Sequence, residues 1–393
     1  MQDLINQGQK YLFNTYKHYN VVFESAKNGM LIDTKGRKYI DFGAGIAVNS
    51  LGYDDKGLKN TIKSQADKLL HCSNLYYNAP QIALAKKLVE ISDFDRVFFA
   101  NSGTEANEAA IKLAKIWAKD FSGNNRTKII AFKNSFHGRT CGSLSITGQP
   151  KYKEGFGPLV EDVEFADFND IESVKKLIDE RTCAIFAEPI QGEGGVIEAK
   201  PEFLKGLRQI CDENNIMLVF DEVQTGIGRI GKLFAYQNFD VIPDAVTLAK
   251  GLGSGVPIGA LLAKEKFAKA FVPSSHGTTF GGNPFVTAVA LYVIERINDS
   301  DFLKKVSENG EYLKNKLTGL SKEIKGRGLM LGIAVDAKPA EIVEKALEEG
   351  LLILSAGENV IRLVPPLTIE KETIDRGFEI LEKIINQQLR KGN

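Results

Sequence analysis

Cysteine and histidine are both scarce in this 393-residue chain. The four cysteines, Cys72, Cys141, Cys183 and Cys211, are scattered without C-x-x-C spacing. That fits free thiols in a reducing cytosol. The four histidines, His18, His71, His137 and His276, form no metal-ligand pattern, so no metal is expected. Net charge is absent too: 50 basic residues balance 50 acidic ones, with no long run of either sign. This argues against nucleic acid or a membrane surface as the main partner. No apolar run approaches the ~20 residues a bilayer span requires. The opening MQDLINQGQKYLFNTY lacks the basic-then-apolar order of a secretion signal. A cytoplasmic protein is expected. There is no internal repeat and no low-complexity linker. The length exceeds one typical core, which predicts a large domain with a smaller one.

The chemistry concentrates in Ile216–Gly255. Ile216–Phe220 is a short apolar run that reads as a strand buried on both faces, and Asp221 and Glu222 follow it. Ala245–Ala249 is a second such run, ended by Lys250 and followed by Gly251, Gly253 and Gly255. Open parallel sheets bind ligands beyond the carboxyl ends of their strands, so Asp221 and Lys250 should face one crevice. An amine and a carboxylate at one site suit pyridoxal phosphate (PLP). The amine can form a Schiff base with its aldehyde, and the carboxylate can keep its ring nitrogen protonated. Other readings exist. Gly226–Lys232 spells G-x-x-x-x-G-K, but Leu233 stands where a P-loop needs Ser or Thr. GLGSG resembles a dinucleotide loop, yet Pro257 interrupts the helix that should follow. Taken singly, Asp221 could be a helix cap and Lys250 a surface lysine.

Elsewhere the chain alternates. Met30–Asp33 and Lys38–Phe42 read as a β-hairpin, and glycine-rich Phe42–Gly52 follows as a packing loop or a pocket wall. Val97–Ala100 is a strand that runs into Asn101-Ser102-Gly103-Thr104-Glu105. Ser102 and Glu105 form a capping box for a helix reaching about Lys119. Such a turn points free N–H groups at an anion. Lys128–Phe132 is a strand leading into NSFHGRT, where Phe136 could stack on a flat ring and Arg139 could clamp a carboxylate. Arg139 could equally form a surface salt bridge. Cys183–Ala187 ends in Glu188-Pro189-Ile190-Gln191-Gly192-Glu193, two glutamates beside a glycine turn. His276–Pro284 holds Thr278 and Thr279 among glycines ahead of a helix. Val97 to Ala263 thus predicts a parallel sheet covered by helices on both faces. Asp301–Lys325 is expected as one helix, and Leu329 onward as an α+β unit joined by the N-terminal hairpin. Arg362 interrupts a strand pattern, either as an edge charge or as a carboxylate site.

Together, SGTEAN, FHGRT, EPIQGEGG, FDEVQTGIGR, LAKGLGSGVPIGA, HGTTFGGNP and IRLVPP resemble the class III aminotransferases over nearly the whole chain, the acetylornithine aminotransferases among them. The resemblance implies an α/β PLP-dependent transferase fold of type I. Its large PLP-binding domain spans 45–285, with a mostly parallel sheet. A smaller α+β domain is made from 1–44 and 286–393. Lys250 would be the Schiff-base lysine and Asp221 the partner of the ring nitrogen. Gln224 would contact the ring hydroxyl, Phe136 would stack, and Gly103 and Thr104 would donate to the phosphate. Ser102, Glu222 and Val223 are also implied at the cofactor. Thr279 would arrive from the neighbouring subunit of a homodimer with shared sites, with Thr278 near the substrate. Arg139 would bind the far carboxylate of either substrate and Arg362 the α-carboxylate of glutamate. Glu193 would cover Arg362 when the other donor is bound.

The implied reaction moves the δ-amino group of N-acetylornithine to 2-oxoglutarate, giving N-acetylglutamate semialdehyde and glutamate in arginine biosynthesis. Ile46 replaces the tyrosine with which ornithine aminotransferases hold a free α-amine, which favours an acylated donor. Succinylornithine, succinyl-diaminopimelate, ornithine and 4-aminobutyrate are the alternative donors. A PLP-binding regulator without turnover is the alternative from another class. Tyr53-Asp54 departs from the histidine many relatives carry after the glycine.

Overall fold

The computed structural model describes residues 1–27, 29–121, 126–321 and 323–389. Its centre is a seven-stranded sheet in the order 96–100, 259–263, 245–248, 217–221, 182–187, 128–132, 163–166. Gly259–Ala263 runs antiparallel to both of its neighbours, whereas the other pairings in this sheet are parallel. The sheet is therefore mixed rather than wholly parallel. The cause is the short Lys250–Ile258 connection, which turns the chain back instead of crossing over through a helix. The strands Thr182–Ala187, Met217–Asp221 and Ala245–Leu248 are buried along their whole length. That explains their uninterrupted apolar runs.

Helices cover both faces. Gly103–Phe121 turns Ala106, Ala109, Ala110, Leu113, Ala114 and Trp117 inward. Its small residues let the helix lie close to the sheet. Pro201–Asn214 buries Phe203, Leu204, Leu207 and Ile210 against the other face. Asn215 closes it in the left-handed conformation, at φ 51°.

The rest of the chain builds two smaller sheets. In one, Phe23–Lys27, Met30–Asp33 and Lys38–Asp41 pair antiparallel, and Leu351–Leu352 adds in parallel to Lys38–Asp41. The N-terminal hairpin and the C-terminal segment therefore share a sheet. The other runs 324–327, 330–334, 360–363, 354–356. The stretch expected as a helix through Lys325 ends at Leu317, and Ile324–Arg327 is a strand. Gly326 and Gly328, both at positive φ, keep that segment out of a helix. Val360–Leu363 lies inside this sheet, so Arg362 is not an edge charge. One hydrophobic cluster extends from Ile40 and Phe42 through the central sheet to Leu381 and Ile385.

Candidate active site

Every parallel strand that reaches the middle of the large sheet delivers a polar group at its carboxyl end. These groups line a cavity of about 600 Å³. Asp221 and Thr247 are in register on neighbouring strands. Lys250 follows beyond Thr247, so the carboxylate and the amine face the same cavity. Asp221 caps no helix, and Lys250 is no surface lysine. Gly226–Lys232 forms turns after Asp221 and starts no phosphate-binding helix.

Asp221 sits in a built network. His137 Nδ1 and Asn107 Nδ2 each lie 2.7 Å from its Oδ2, and Val223 N donates to Oδ1 at 3.0 Å. Asn107 is itself fixed, donating to His137 O at 2.7 Å and accepting from Thr247 Oγ1 at 2.8 Å. Burial by itself would raise the Asp221 carboxyl. The His137, Val223 and Asn107 contacts outweigh it and hold the group below the usual carboxylate range. Burial likewise opposes a charge on His137, but Asp221 and Glu188 together raise it. The pair is ionic. Asn107 and Thr247 were missed in the sequence. The available signal was one polar residue on the buried alanine face of a helix.

The Lys250 amine is pushed below the usual lysine range by burial and by Arg362, against the opposing charges of Glu193, Asp221 and Glu188. Glu188 accepts from Phe136 N at 3.0 Å. Burial, reinforced by Asp221, pushes it up to about 7.

At one end of the cavity lies the start of the Gly103–Phe121 helix. Ser102 Oγ accepts from Glu105 N at 3.3 Å, one half of the expected capping box. The Glu105 carboxylate takes Asn101 N at 2.7 Å as its backbone donor. A Cβ on Gly103 would stand 2.7 Å from Val223, so only glycine fits there. Thr104 Oγ1 lies 2.8 Å from Thr140 Oγ1 and accepts from Arg139 N at 3.2 Å. Phe136 and Arg139 line the cavity. The Arg139 guanidinium stacks 3.8 Å from the Tyr152 ring centre and 5.5 Å from that of Phe136.

Glu193 and Gln224 line the cavity, and both accept from buried Arg362, at 2.5 and 3.0 Å. Burial would raise Glu193, but Arg362 overrides it and keeps the carboxyl below its ordinary value. Val223 is in the wall as well. Glu222 is not. Its carboxyl group turns away and accepts from Ala235 N and Tyr236 N at 2.6 and 2.7 Å. Consecutive residues of an extended strand point to opposite faces, which is why Asp221 and Glu222 part. Thr278 Oγ1 accepts from Asn101 Nδ2 at 3.2 Å, outside the lining. Thr279 is exposed. Ile46 is 44 % exposed, on a turn whose neighbour Val48 lines the cavity.

An amine and a carboxylate thus meet at adjoining strand ends, beside a helix N-terminus, an arrangement suited to Schiff-base chemistry. The chain belongs to the class III aminotransferases, whose family pattern it matches over residues 11–385. It is 50 % identical to the acetylornithine aminotransferase of Caldanaerobacter subterraneus subsp. tengcongensis over 98 % of this chain and 99 % of that one. It is 52 % identical to the acetylornithine aminotransferase of Aquifex aeolicus over 95 % of this chain and all of that one. The ornithine aminotransferase of Toxoplasma gondii, solved with PLP at partial occupancy in its active site, superposes with a TM-score of 0.93. That pair is 31 % identical, over 98 % of this chain and 94 % of the other.

Proposed function

We propose that this protein is an acetylornithine aminotransferase, transferring the δ-amino group of N-acetylornithine to 2-oxoglutarate with PLP as cofactor. The observation that carries the reading is the pairing of Asp221 and Lys250 in one cavity with Glu193 on Arg362. Full-length identity near one half to enzymes of that name, against 31 % to an ornithine aminotransferase, supports an acylated donor over ornithine.

The residues present fit PLP. The cavity joins an ionised carboxylate, an amine, an aromatic face and helical N–H groups. In this reading Lys250 would hold the aldehyde carbon, Asp221 the ring nitrogen and Gln224 the ring hydroxyl. Phe136 would cover the ring, and Ser102, Gly103 and Thr104 would meet the phosphate. When bound, PLP supplies the aldehyde and an electron-accepting ring.

The chain supplies binding and proton transfer. Lys250 Nζ, its basicity lowered by burial, lies in the cavity where it would take the proton from the substrate carbon and return it. Asp221 stays ionised because His137 and Asn107 hold it. Arg139 binds the far carboxylate of either substrate. Arg362 binds the α-carboxylate of glutamate once Glu193 moves aside. Its Nε is buried without a partner among the described residues, which leaves a donor for an incoming carboxylate. Ile46 faces the acylated α-amine, where a free ammonium would go unpaired.

Residues 45–285 form the cofactor unit in this reading, with 1–44 and 286–393 as the smaller one. The protein works as a cytoplasmic homodimer that completes each site with Thr279 of the second copy. Asn74 Nδ2 ties the Thr278–Gly281 segment to a loop whose Leu75, Tyr76 and Tyr77 are exposed. An apolar patch of this kind suits coverage by a partner. The test is glutamate formation by the purified, PLP-loaded protein with N-acetylornithine, ornithine or 4-aminobutyrate as donor. The reading requires N-acetylornithine to be preferred.

A further inference from the structure

The turn that carries Ile46 has an unusual backbone. Ala44, Gly45, Ile46 and Ala47 have φ of 46°, 62°, 64° and 61°. Three of these are not glycine, and left-handed backbone is unfavourable for residues with a Cβ. Something outside the turn must hold it. Asp41, 2 % exposed, accepts from Gly43 N and Ala44 N at 2.8 Å through Oδ1. Its other oxygen, Oδ2, accepts from Tyr53 Oη at 2.5 Å. Asn49 Nδ2 donates to the same phenol at 3.3 Å. The turn packs against Lys250–Leu252, and the segment after it is tied there by Ser50 Oγ donating to Gly251 O at 2.8 Å.

We propose that Tyr53, through Asp41, is a positioning residue for donor specificity. Its hydrogen bond keeps Ala44–Ala47 left-handed and thereby fixes Ile46 and Val48 against the acylated end of the donor. The inference rests on the reading of Ile46 given above. Tyr53 itself does not line the cavity. Burial and Asp41 hold its phenol well above the usual tyrosine range, so the donated proton is kept throughout the working pH range.

The experiment compares the PLP-loaded wild type, Tyr53→Phe, and Tyr53→Phe combined with Ala44→Gly and Ala47→Gly. Two quantities are read. One is the ratio of kcat/KM for N-acetylornithine to that for ornithine. The other is amide hydrogen exchange at Ala47 and Val48, whose N–H groups donate to Gly43 O and Ala44 O. Tyr53→Phe should lower the ratio about three- to tenfold, the scale of one hydrogen bond, and speed exchange by a similar factor. The two glycines adopt the turn without strain and should restore both readouts. An unchanged ratio in Tyr53→Phe overturns the proposal. So does a fall that the glycines fail to rescue, because Tyr53 would then act through something other than the turn. If the wild type does not use N-acetylornithine, the substrate reading fails instead. Exchange alone then decides whether Tyr53 holds the turn.

Discussion

Glu193 Oε1 lies 2.5 Å from Arg362 Nη1, joining residues 169 positions apart in the chain. Arg362 belongs to an interior strand, so its backbone is fixed. Glu193 lies in the turn between the short strands Ile190–Gln191 and Ile197–Glu198. In the proposed mechanism the partner that moves is therefore the glutamate. Removing one member of a buried ion pair leaves the other uncompensated. Glu193→Ala should lower kcat/KM for N-acetylornithine by at least about tenfold, the scale of a charge-assisted hydrogen bond. The glutamate half-reaction should change far less, because there the substrate carboxylate takes Glu193's place. Single-turnover kinetics with each donor measure this split. Equal losses for both donors would show that Glu193 does not discriminate between them.

Arg139 is poised differently, stacked on Tyr152 and Phe136 at the cavity wall. A lysine there keeps the charge but loses the planar fork and the stack. Arg139→Lys should raise KM for both N-acetylornithine and 2-oxoglutarate about tenfold, one bidentate contact's worth, with kcat little changed. Steady-state kinetics in the two substrates decide it. An effect on one substrate alone would remove the shared role.

The Asp221–His137 pair makes apoprotein stability depend on pH. Asp221 lies below its ordinary 3.8 when folded, so its contribution is present above that value and fades as pH falls through the folded one. His137 lies above its ordinary 6.5, so its contribution is complete below 6.5 and is lost as pH rises through the folded value. Glu188, raised from 4.5 to about 7, makes stability decline between those two values, since the folded state holds a proton that the unfolded state releases. Thermal unfolding of the apoprotein should show both declines. Glu188→Gln should flatten the lower one and His137→Phe the upper one. Superimposable profiles for wild type and variants would contradict the assignment.

The sequence carried the frame of this site, because Asp221 and Lys250 end short apolar runs that read as buried strands. Arg362 stood out as a charge inside a strand pattern, and Glu193 and Arg139 as charges just beyond strand ends. The support behind Asp221 was not legible. Asn107 and Thr247 come from elements far apart in sequence, and only the helix-on-sheet packing brings them together. Glu222 misled because two acidic neighbours look alike until the strand assigns them to opposite faces. The left-handed turn at Ala44–Ala47 was hidden for another reason. Alanine and isoleucine do not favour positive φ, and the contacts that impose it come from Asp41 and Tyr53.

The most direct test is the visible absorbance of the purified protein loaded with PLP, with one donor added and no acceptor. N-acetylornithine should bleach the cofactor band, ornithine and 4-aminobutyrate should do so far less well, and 2-oxoglutarate should restore it. Better bleaching by ornithine or 4-aminobutyrate would contradict the donor assignment. Failure to form the band at all would contradict the role of Lys250, and with it the account of the site.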